Sequence, residues 1–179
     1  MDNRAKKKVA LIEDDTGNRR AIKQIFESYS EIELVEAVDA GKAMKILFPN
    51  LPENRPDAVI LDLIIPYGSA AEQLNAKSDP DCVKTGVKLL RSLRESEKSA
   101  DNRHSSDLLW VAVTTERSNP QVIRELVQLL EKRGCIYLKP FDTIKLENDL
   151  AQILGIKSQV DPILLSPVHL SPVQKNGGR

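Results

Sequence analysis

The chain has 179 residues and equal numbers of basic and acidic side chains, 26 lysines and arginines against 26 aspartates and glutamates, so its formal net charge is zero. That balance gives no overall attraction for nucleic acid or anionic membranes, and the composition is that of a globular protein with one substantial core. Two cysteines in no metal or disulfide spacing and an N-terminal apolar run of only four residues, Val9 to Ile12, predict a cytoplasmic protein without a signal peptide or a membrane span.

Short runs rich in Val, Ile and Leu predict the β-strands. Runs this apolar favour strands that are covered on both faces, as in a parallel sheet between two layers of helices. A weaker run at 32–38 favours an edge strand. The four strong runs are VALI at 9–12, AVIL at 58–61, LLWVAV at 108–113 and CIYL at 135–138.

Segments of helical periodicity follow each strand. The strongest predict the apolar faces Ala21, Ile22, Ile25 and Phe26; Val83, Val87, Leu90 and Leu93; and Val122, Leu126 and Leu130. A short helix is predicted at 41–48, and Gly134 is expected to end the fourth helix. The fifth, at 142–155, has Asp142 or Thr143 as its N-cap and Gly155 at its end. Strand and helix alternate five times, which predicts a doubly wound three-layer α/β sandwich with right-handed crossovers.

Two polar segments fall outside this alternation. Residues 94–107 predict a polar loop in which His104 gives no reason to expect a metal. Residues 156–179 predict a flexible tail after a domain of residues 1–155, because the prolines in the tandem repeat LSPVH and LSPVQ (165–174) exclude a regular helix or central strand. The tail either has no role or is an extended docking segment; its apolar anchors would then be Leu165, Val168, Leu170 and Val173.

Polar side chains stand where the predicted strands end. In an open parallel sheet, loops and ligands meet beyond the carboxyl ends of the strands, so these side chains are expected at one edge. Each has an ordinary interpretation as a turn acid, helix cap or surface lysine. The ordinary interpretation fits Asp62 poorly, because burial of an isolated carboxylate in an apolar run costs free energy unless the group is paired or metal-bound. The set is Glu13, Asp14 and Asp15; Asp62; Thr114 and Thr115; and Lys139.

Such a set suits phosphoryl transfer to a carboxylate. Clustered acids repel one another, so the pocket is expected to hold a hard divalent cation with oxygen ligands, for which Mg²⁺ is the natural choice. A lysine ammonium and a threonine hydroxyl can balance and hold the remaining phosphoryl oxygens.

The sequence resembles the receiver domain of two-component response regulators. The resemblance extends from about residue 7 to 154 and depends on four ordered motifs: VALIEDD, AVILDLIIP, WVAVTTE and YLKPF. It implies a flavodoxin-like five-stranded parallel sheet, and a phosphoryl donor that is a sensor histidine kinase or histidine phosphotransfer protein. The implied roles are phosphoacceptor for Asp62, catalytic partners for Thr114 and Lys139, and Mg²⁺ ligands for Glu13, Asp14, Asp62 and the backbone carbonyl of Ile64.

The sequence departs from the family pattern at several positions. The glycine that usually follows the phosphoacceptor closely is Gly86, twenty-four positions after Asp62, which indicates an insertion at about 67–82. That segment is interpreted as either a solvated loop or a specificity element that touches the kinase. Thr115 replaces a small alanine and could narrow access to the site. Ile136 stands at the usual switch aromatic, and Tyr137 comes one residue later, on the opposite face of a strand.

These residues bear on four candidate functions. The first is a phosphorylation-controlled switch or relay that has no DNA-binding domain of its own and acts on no other substrate as an enzyme. The second is a degenerate receiver-fold module that binds proteins independently of phosphorylation, which the insertion and Ile136 favour. An aspartate-nucleophile hydrolase is disfavoured because residues 63–65 supply no second acid. A flavin or nucleotide binder is disfavoured because EDDTGN (13–18) would repel phosphate.

Overall fold

Five parallel strands form one sheet in the order β2-β1-β3-β4-β5, which confirms the doubly wound, flavodoxin-like prediction and the edge position of the weak second strand. This computed structural model describes residues 6–49, 54–79, 82, 84–99, 109–115 and 119–157. The strands are β1 (Lys7–Ile12), β2 (Ile32–Ala37), β3 (Ala58–Asp62), β4 (Trp110–Thr115) and β5 (Gly134–Leu138). The helices are α1 (Thr16–Phe26), α2 (Ala40–Leu47), α3 (Thr85–Ser99), α4 (Pro120–Leu130) and α5 (Thr143–Leu154). No helix within these described ranges is long and apolar enough to cross a membrane.

Two apolar layers cover the sheet, one on each face. Alternate residues of each central strand point to opposite faces, as the pleat requires. On β3, Val59 and Leu61 pack in the layer that includes α2, α3 and α4, whereas Ala58 and Ile60 pack in the layer with α1 and α5. All five residues of β3 are buried, so its last residue, Asp62, lies at the end of a strand covered on both faces.

Side-chain caps fix where the helices begin. Asp15 accepts a hydrogen bond from the backbone N–H of Asn18 at 2.7 Å, and Asp39 caps α2 in the same way. The predicted cap of α5 is Asp142, which accepts from two backbone N–H groups, and Gly155 ends that helix in the left-handed conformation as expected. Asp15 therefore has a structural role as the N-cap of α1.

Gly134 does not end α4. That helix stops at Leu130, and Glu131 takes the left-handed conformation instead. Gly134 is the first residue of β5, where a Cβ atom would lie 2.2 Å from the carbonyl oxygen of Val111. The glycine is thus required by the close approach of β4 and β5.

Two further predictions were wrong in detail. Ala21 is exposed on α1, whereas Ile22 and Phe26 are buried as predicted. Residues 94–99 continue α3 instead of beginning a polar loop, because Arg94 and Glu97 are buried and pair with each other. Val83, His104 and tail residues 158–179 lie outside the described residues, while Ile156 packs against the layer that contains α5.

The segment after β3 packs against α2 and α3. Tyr67, Ala70 and Leu74 are buried in the same apolar layer as those helices. The carbonyl oxygens of Pro66 and Tyr67 accept hydrogen bonds from the first N–H groups of α2, at 2.9 and 3.2 Å, which would otherwise lack a partner at a helix start. Residues 67–79 are therefore built into the fold, unlike a purely solvated loop.

Candidate functional site

The ends of four strands bring the predicted side chains to one edge of the sheet. Glu13 and Asp14 follow β1, which lies next to β3 and its terminal Asp62. Asp62 is in register with Thr114 on β4, and Lys139 directly follows β5. The Lys139–Pro140 peptide bond that follows is cis. We call this edge, with Glu13, Asp14, Asp62 and Lys139, the carboxyl-edge cluster.

Lys139 joins the two buried acids of this cluster. Its Nζ lies 2.8 Å from Oε2 of Glu13 and 3.0 Å from Oδ2 of Asp62. The Glu13 side chain is 1% exposed and that of Asp62 is 8% exposed, so all three charges interact with little water between them. Burial of this kind is tolerated because the ammonium compensates the carboxylates.

One ammonium does not fully balance two buried carboxylates. Burial and the nearby charge of Glu13 raise the pKa of Asp62 from 3.8 to about 6, although Lys139 and the backbone N–H of Ile64 oppose that rise. Burial alone would lower the pKa of Lys139, but its hydrogen bond to Glu13 and the charge of Asp62 outweigh burial and raise it. The pocket therefore carries excess negative charge above pH 6.

The geometry of the acids fits a divalent cation. Glu13, Asp14 and Asp62 each offer a carboxylate oxygen, and these oxygens lie within 4.8 Å of one another. Three hard oxygen donors with surplus negative charge match the ligand preference of Mg²⁺. Asp14 is exposed, so this side of the pocket is open to solvent. Ile64 lies beside the cluster, and the role of its carbonyl as a ligand stays a prediction.

Thr114 is the most unusual polar group of the site. It is fully buried, and its Oγ1 has no hydrogen-bond partner among the described residues. A buried hydroxyl without a partner is costly, so such groups mark places where a ligand or a moving side chain can supply the missing bond. Thr115 is also buried, and its carbonyl oxygen accepts from the N–H of Lys139 at 2.8 Å, which ties β4 to the lysine.

Tyr137 lies on the face predicted from its position in the strand. Its ring is buried in the layer with α5, and its hydroxyl donates to Oδ2 of Asp149 at 2.5 Å. Burial and this hydrogen bond raise the pKa of Tyr137. Ile136 packs on the opposite face, against the layer with α4. The tyrosine is thus held away from the face on which a switch aromatic would move.

Gly86 returns the chain to the end of β3 after the long segment that follows that strand. Its N–H donates to the carbonyl of Leu63 at 2.9 Å, and a Cβ atom on it would lie 2.6 Å from the carbonyl oxygen of Asp62. Only glycine fits this close approach without a shift of the backbone. The segment between Leu63 and Gly86 therefore leaves and rejoins the fold directly beside Asp62.

Two residues of α1 that the sequence analysis did not select contact the site. Arg19 Nη1 donates to the carbonyl oxygens of Glu13 and Asp14, and Asn18 Nδ2 lies 3.4 Å from Oε1 of Glu13. They lie three and four positions after the Asp15 cap, in the first turn of α1, which therefore faces the acidic turn. A helical wheel started at Asp15 could have selected them.

Comparison with known proteins identifies the fold. No family model and no curated protein matches this sequence. Solved structures do match: the receiver domain of a Francisella response regulator is 20% identical over 83% of this chain and 97% of its own, with a TM-score of 0.56. The receiver domain of RcsB from Salmonella enterica serovar Typhimurium, solved with the phosphomimetic BeF3⁻, is 21% identical over 86% and 91%, with a TM-score of 0.58.

A signal receiver domain from Clostridium thermocellum is similar at the same level. It is 23% identical, the match covers 84% of this chain and 98% of that one, and the TM-score is 0.55. Nearly the whole of each matched domain is therefore present here, while the identity is low. The described part of this chain is a single receiver-like domain, with the fold of response regulator receiver domains.

Proposed function

We propose that this protein is a cytoplasmic response regulator receiver that accepts a phosphoryl group on Asp62. The donor would be a phosphohistidine of a sensor histidine kinase or of a histidine phosphotransfer protein. The observation that carries the proposal is the Lys139 ammonium between Glu13 and Asp62, at 2.8 and 3.0 Å, at the carboxyl edge of a receiver fold. This arrangement leaves a strand-end carboxylate facing an acidic, solvent-open pocket.

The transfer is a displacement at phosphorus. A carboxylate oxygen of Asp62 forms the new P–O bond while the P–N bond of the phosphohistidine breaks, and the imidazole nitrogen leaves with the electron pair. Lys139 stays protonated because its pKa is raised, so it can stabilise negative charge on the phosphoryl oxygens. The Thr114 hydroxyl, for which no described residue is a hydrogen-bond partner, can donate to a phosphoryl oxygen.

The acids and one backbone group would hold the cation. Glu13, Asp14 and Asp62 provide carboxylate oxygens and Ile64 provides its carbonyl. When bound, Mg²⁺ supplies charge neutralisation between Asp62 and the incoming phosphoryl group. The chain would thereby promote only its own phosphorylation and dephosphorylation, and would be a signalling module that acts on no other substrate.

The output would be a change in protein contacts. Phosphorylation would replace the single charge of the Asp62 carboxylate by that of an acyl phosphate dianion, a net gain of about one negative charge, which is typically enough to reorganise neighbouring elements. The surface nearest to β5 and α4 exposes two large apolar side chains, Leu138 at 52% and Val127 at 60%. A partner whose affinity depends on this surface would read the phosphorylated state.

A second candidate is a receiver-fold module that binds its partner without phosphorylation. It is favoured by one observation, the burial of Tyr137 on the face opposite to Ile136. Such a chain would keep the pocket but lack the aromatic that couples the pocket to the output surface. Its partner affinity would not change on phosphorylation.

Phosphoryl uptake tests the phosphoacceptor proposal. Full-length protein is incubated with acetyl phosphate, with and without Mg²⁺, and followed by intact mass. We expect Mg²⁺-dependent uptake by the wild type and none by Asp62→Asn. The matched control is Asp57→Asn, an exposed aspartate directly before the same strand, which should take up phosphoryl normally. Wild-type protein that takes up none would rule out the phosphoacceptor proposal.

A further inference from the structure

The guanidinium of Arg19 binds the turn that carries the acidic pair. Its Nη1 donates to the carbonyl oxygen of Glu13 at 2.9 Å and to that of Asp14 at 2.8 Å, and Nη2 lies 3.2 Å from Oγ1 of Thr16. One planar cation thus spans three successive features of the chain: the end of β1, the turn and the first residue of α1. Only arginine has the forked donor geometry for this.

A second contact fixes the other side of the same guanidinium. Nε of Arg19 lies 3.7 Å from Oε2 of Glu36 on β2, and Glu36 Oε1 accepts from Nζ of Lys23 at 2.7 Å. The Arg19 side chain is only 16% exposed. The arginine therefore joins the acidic turn to a neighbouring strand, and its own position is set by residues outside the turn.

Glu13 and Asp14 differ in how their carboxylates are held. Both oxygens of Glu13 have partners: Lys139 on Oε2, and the N–H of Asp15 and the amide of Asn18 near Oε1. Among the described residues, no hydrogen bond holds the carboxylate of exposed Asp14. The direction of the Asp14 side chain is therefore set by its backbone, whose carbonyl is bound by Arg19.

We propose that Arg19 is a positioning residue for divalent-cation binding at the carboxyl-edge cluster. By holding the two carbonyl groups, it fixes the turn so that the Asp14 carboxylate stays within reach of Glu13 and Asp62. It touches neither the cation nor the phosphoryl group. This inference rests on the proposed function, because it assigns to the acids a cation that the proposed phosphoryl transfer needs.

Cation affinity, measured without any phosphoryl donor, tests the role of Arg19. Full-length wild type, Arg19→Met, Arg19→Lys and Arg20→Met are titrated with Mg²⁺ by calorimetry and with Mn²⁺ by electron paramagnetic resonance. Loss of residues that orient metal ligands typically weakens affinity roughly 10- to 100-fold, which we expect for Arg19→Met. Arg19→Lys should fall between, because an ammonium can donate to both carbonyls as Nη1 does but loses the contacts of Nη2 with Thr16 and of Nε with Glu36. Arg20 is exposed on the same helix, so its variant should stay within about twofold.

A double variant distinguishes positioning from a general effect on the fold. If Arg19 acts through Asp14, Arg19→Met should weaken binding far less in an Asp14→Asn background than in the wild type. Additive losses would overturn the inference. So would an Arg19→Met protein that melts earlier in EDTA yet binds the cation as tightly as wild type. If Arg19→Met does not fold, Arg19→Lys provides the comparison, with Glu36→Gln, which leaves the carbonyl contacts, as its control.

Failure of the proposed function would look different. Wild-type protein that binds neither Mg²⁺ nor Mn²⁺ would contradict the cation site itself. Wild-type binding with unchanged affinity in Arg19→Met and Arg19→Lys would leave the site intact and overturn only the role of Arg19.

Discussion

Two clusters of buried charge lie at opposite edges of the sheet, and they differ in how completely their partners satisfy them. The amino-edge cluster consists of Arg94 and Glu97 on α3 with Arg55. Arg94 donates to Glu97 Oε2 at 2.6 Å and also to the carbonyl oxygens of Leu129 and Arg133 at 2.9 and 3.4 Å. Both Arg94 and Glu97 are 2% exposed.

Both carboxylate oxygens of Glu97 accept hydrogen bonds. Its Oε1 accepts from Arg55 and from the N–H of Leu109, the latter at 2.9 Å, while Oε2 is held by Arg94. The carboxyl-edge cluster has the opposite character: Asp62 keeps a raised pKa, Thr114 Oγ1 finds no partner in the described part of the chain, and Asp14 faces solvent. A saturated cluster holds elements together, whereas an unsaturated one can accept a ligand.

The largest expected effect is at the amino edge. Glu97→Ala leaves the Arg94 and Arg55 cations without their shared carboxylate, and breaking a buried pair from one side costs about 3–5 kcal/mol of unfolding free energy. Urea denaturation measures that loss. The matched control is Glu125→Ala, which removes a helix carboxylate that pairs with Arg91 near the surface and should cost less than about 1 kcal/mol. Equal losses in the two variants would show that the amino-edge cluster has no special weight.

At the carboxyl edge, removal of a carboxylate should raise the free energy of unfolding instead of lowering it. Asp62→Asn removes a buried charge that is repelled by Glu13, so without divalent cations at pH 7.5 it should stabilise the fold by on the order of 2 kcal/mol. Because the pKa of Asp62 is raised to about 6, its contribution to stability is present below pH 3.8 and is lost as pH rises through 6. The difference between variant and wild type should therefore be small near pH 4 and full above pH 6.

Urea denaturation in EDTA at several pH values measures this difference. Saturating Mg²⁺ should stabilise wild type more than Asp62→Asn and so reduce the gap. Destabilisation by Asp62→Asn at pH 7.5 in EDTA would contradict the view that the site holds excess negative charge.

The two clusters also differ in how far the sequence predicts them. Topology alone brings Glu13, Asp62, Thr114 and Lys139 together, because the carboxyl ends of parallel strands meet at one edge whatever the details of packing. The shared edge was therefore predictable from strand ends, and the unusual acid in an apolar run drew attention to it. The pairing of Asp62 with Lys139 does not follow from the strand order, because β4 lies between β3 and β5 and the contact depends on the length of the lysine side chain.

The amino-edge cluster was not predictable in this way. Arg94 and Glu97 lie in a polar stretch that favours a solvated loop, and their other partners, Arg55 and Leu129, are 42 and 35 positions away in sequence from Glu97 and Arg94 respectively. No local pattern reveals such contacts. The contact of Arg19 with the acidic turn was not predictable for a related reason, because it depends on the direction of the side chain at the start of α1.

The smallest expected effect concerns another cation, Lys88, whose hydrogen-bond partners among the described residues are all neutral. Its Nζ donates to the Tyr67 hydroxyl at 2.9 Å, to the carbonyl of Asn75 at 2.8 Å and to Oγ of Ser78 at 2.9 Å, so it links α3 to the segment of residues 67–79. Lys88→Met keeps the stem and removes the charge.

No buried charge is left alone in Lys88→Met, unlike in Glu97→Ala, and water can replace the ammonium at a half-buried site. We therefore expect the free energy of unfolding to fall by only about 1 kcal/mol. Hydrogen exchange in residues 67–79 should become faster than in wild type, with less change in the β-sheet. Lys84→Met, an exposed lysine just before α3, is the control and should change neither. If Lys88→Met lost as much unfolding free energy as Glu97→Ala, hydrogen bonds to neutral groups would hold this segment as firmly as an ion pair holds α3. Paired charge would then not explain the greater stability expected of the amino-edge cluster.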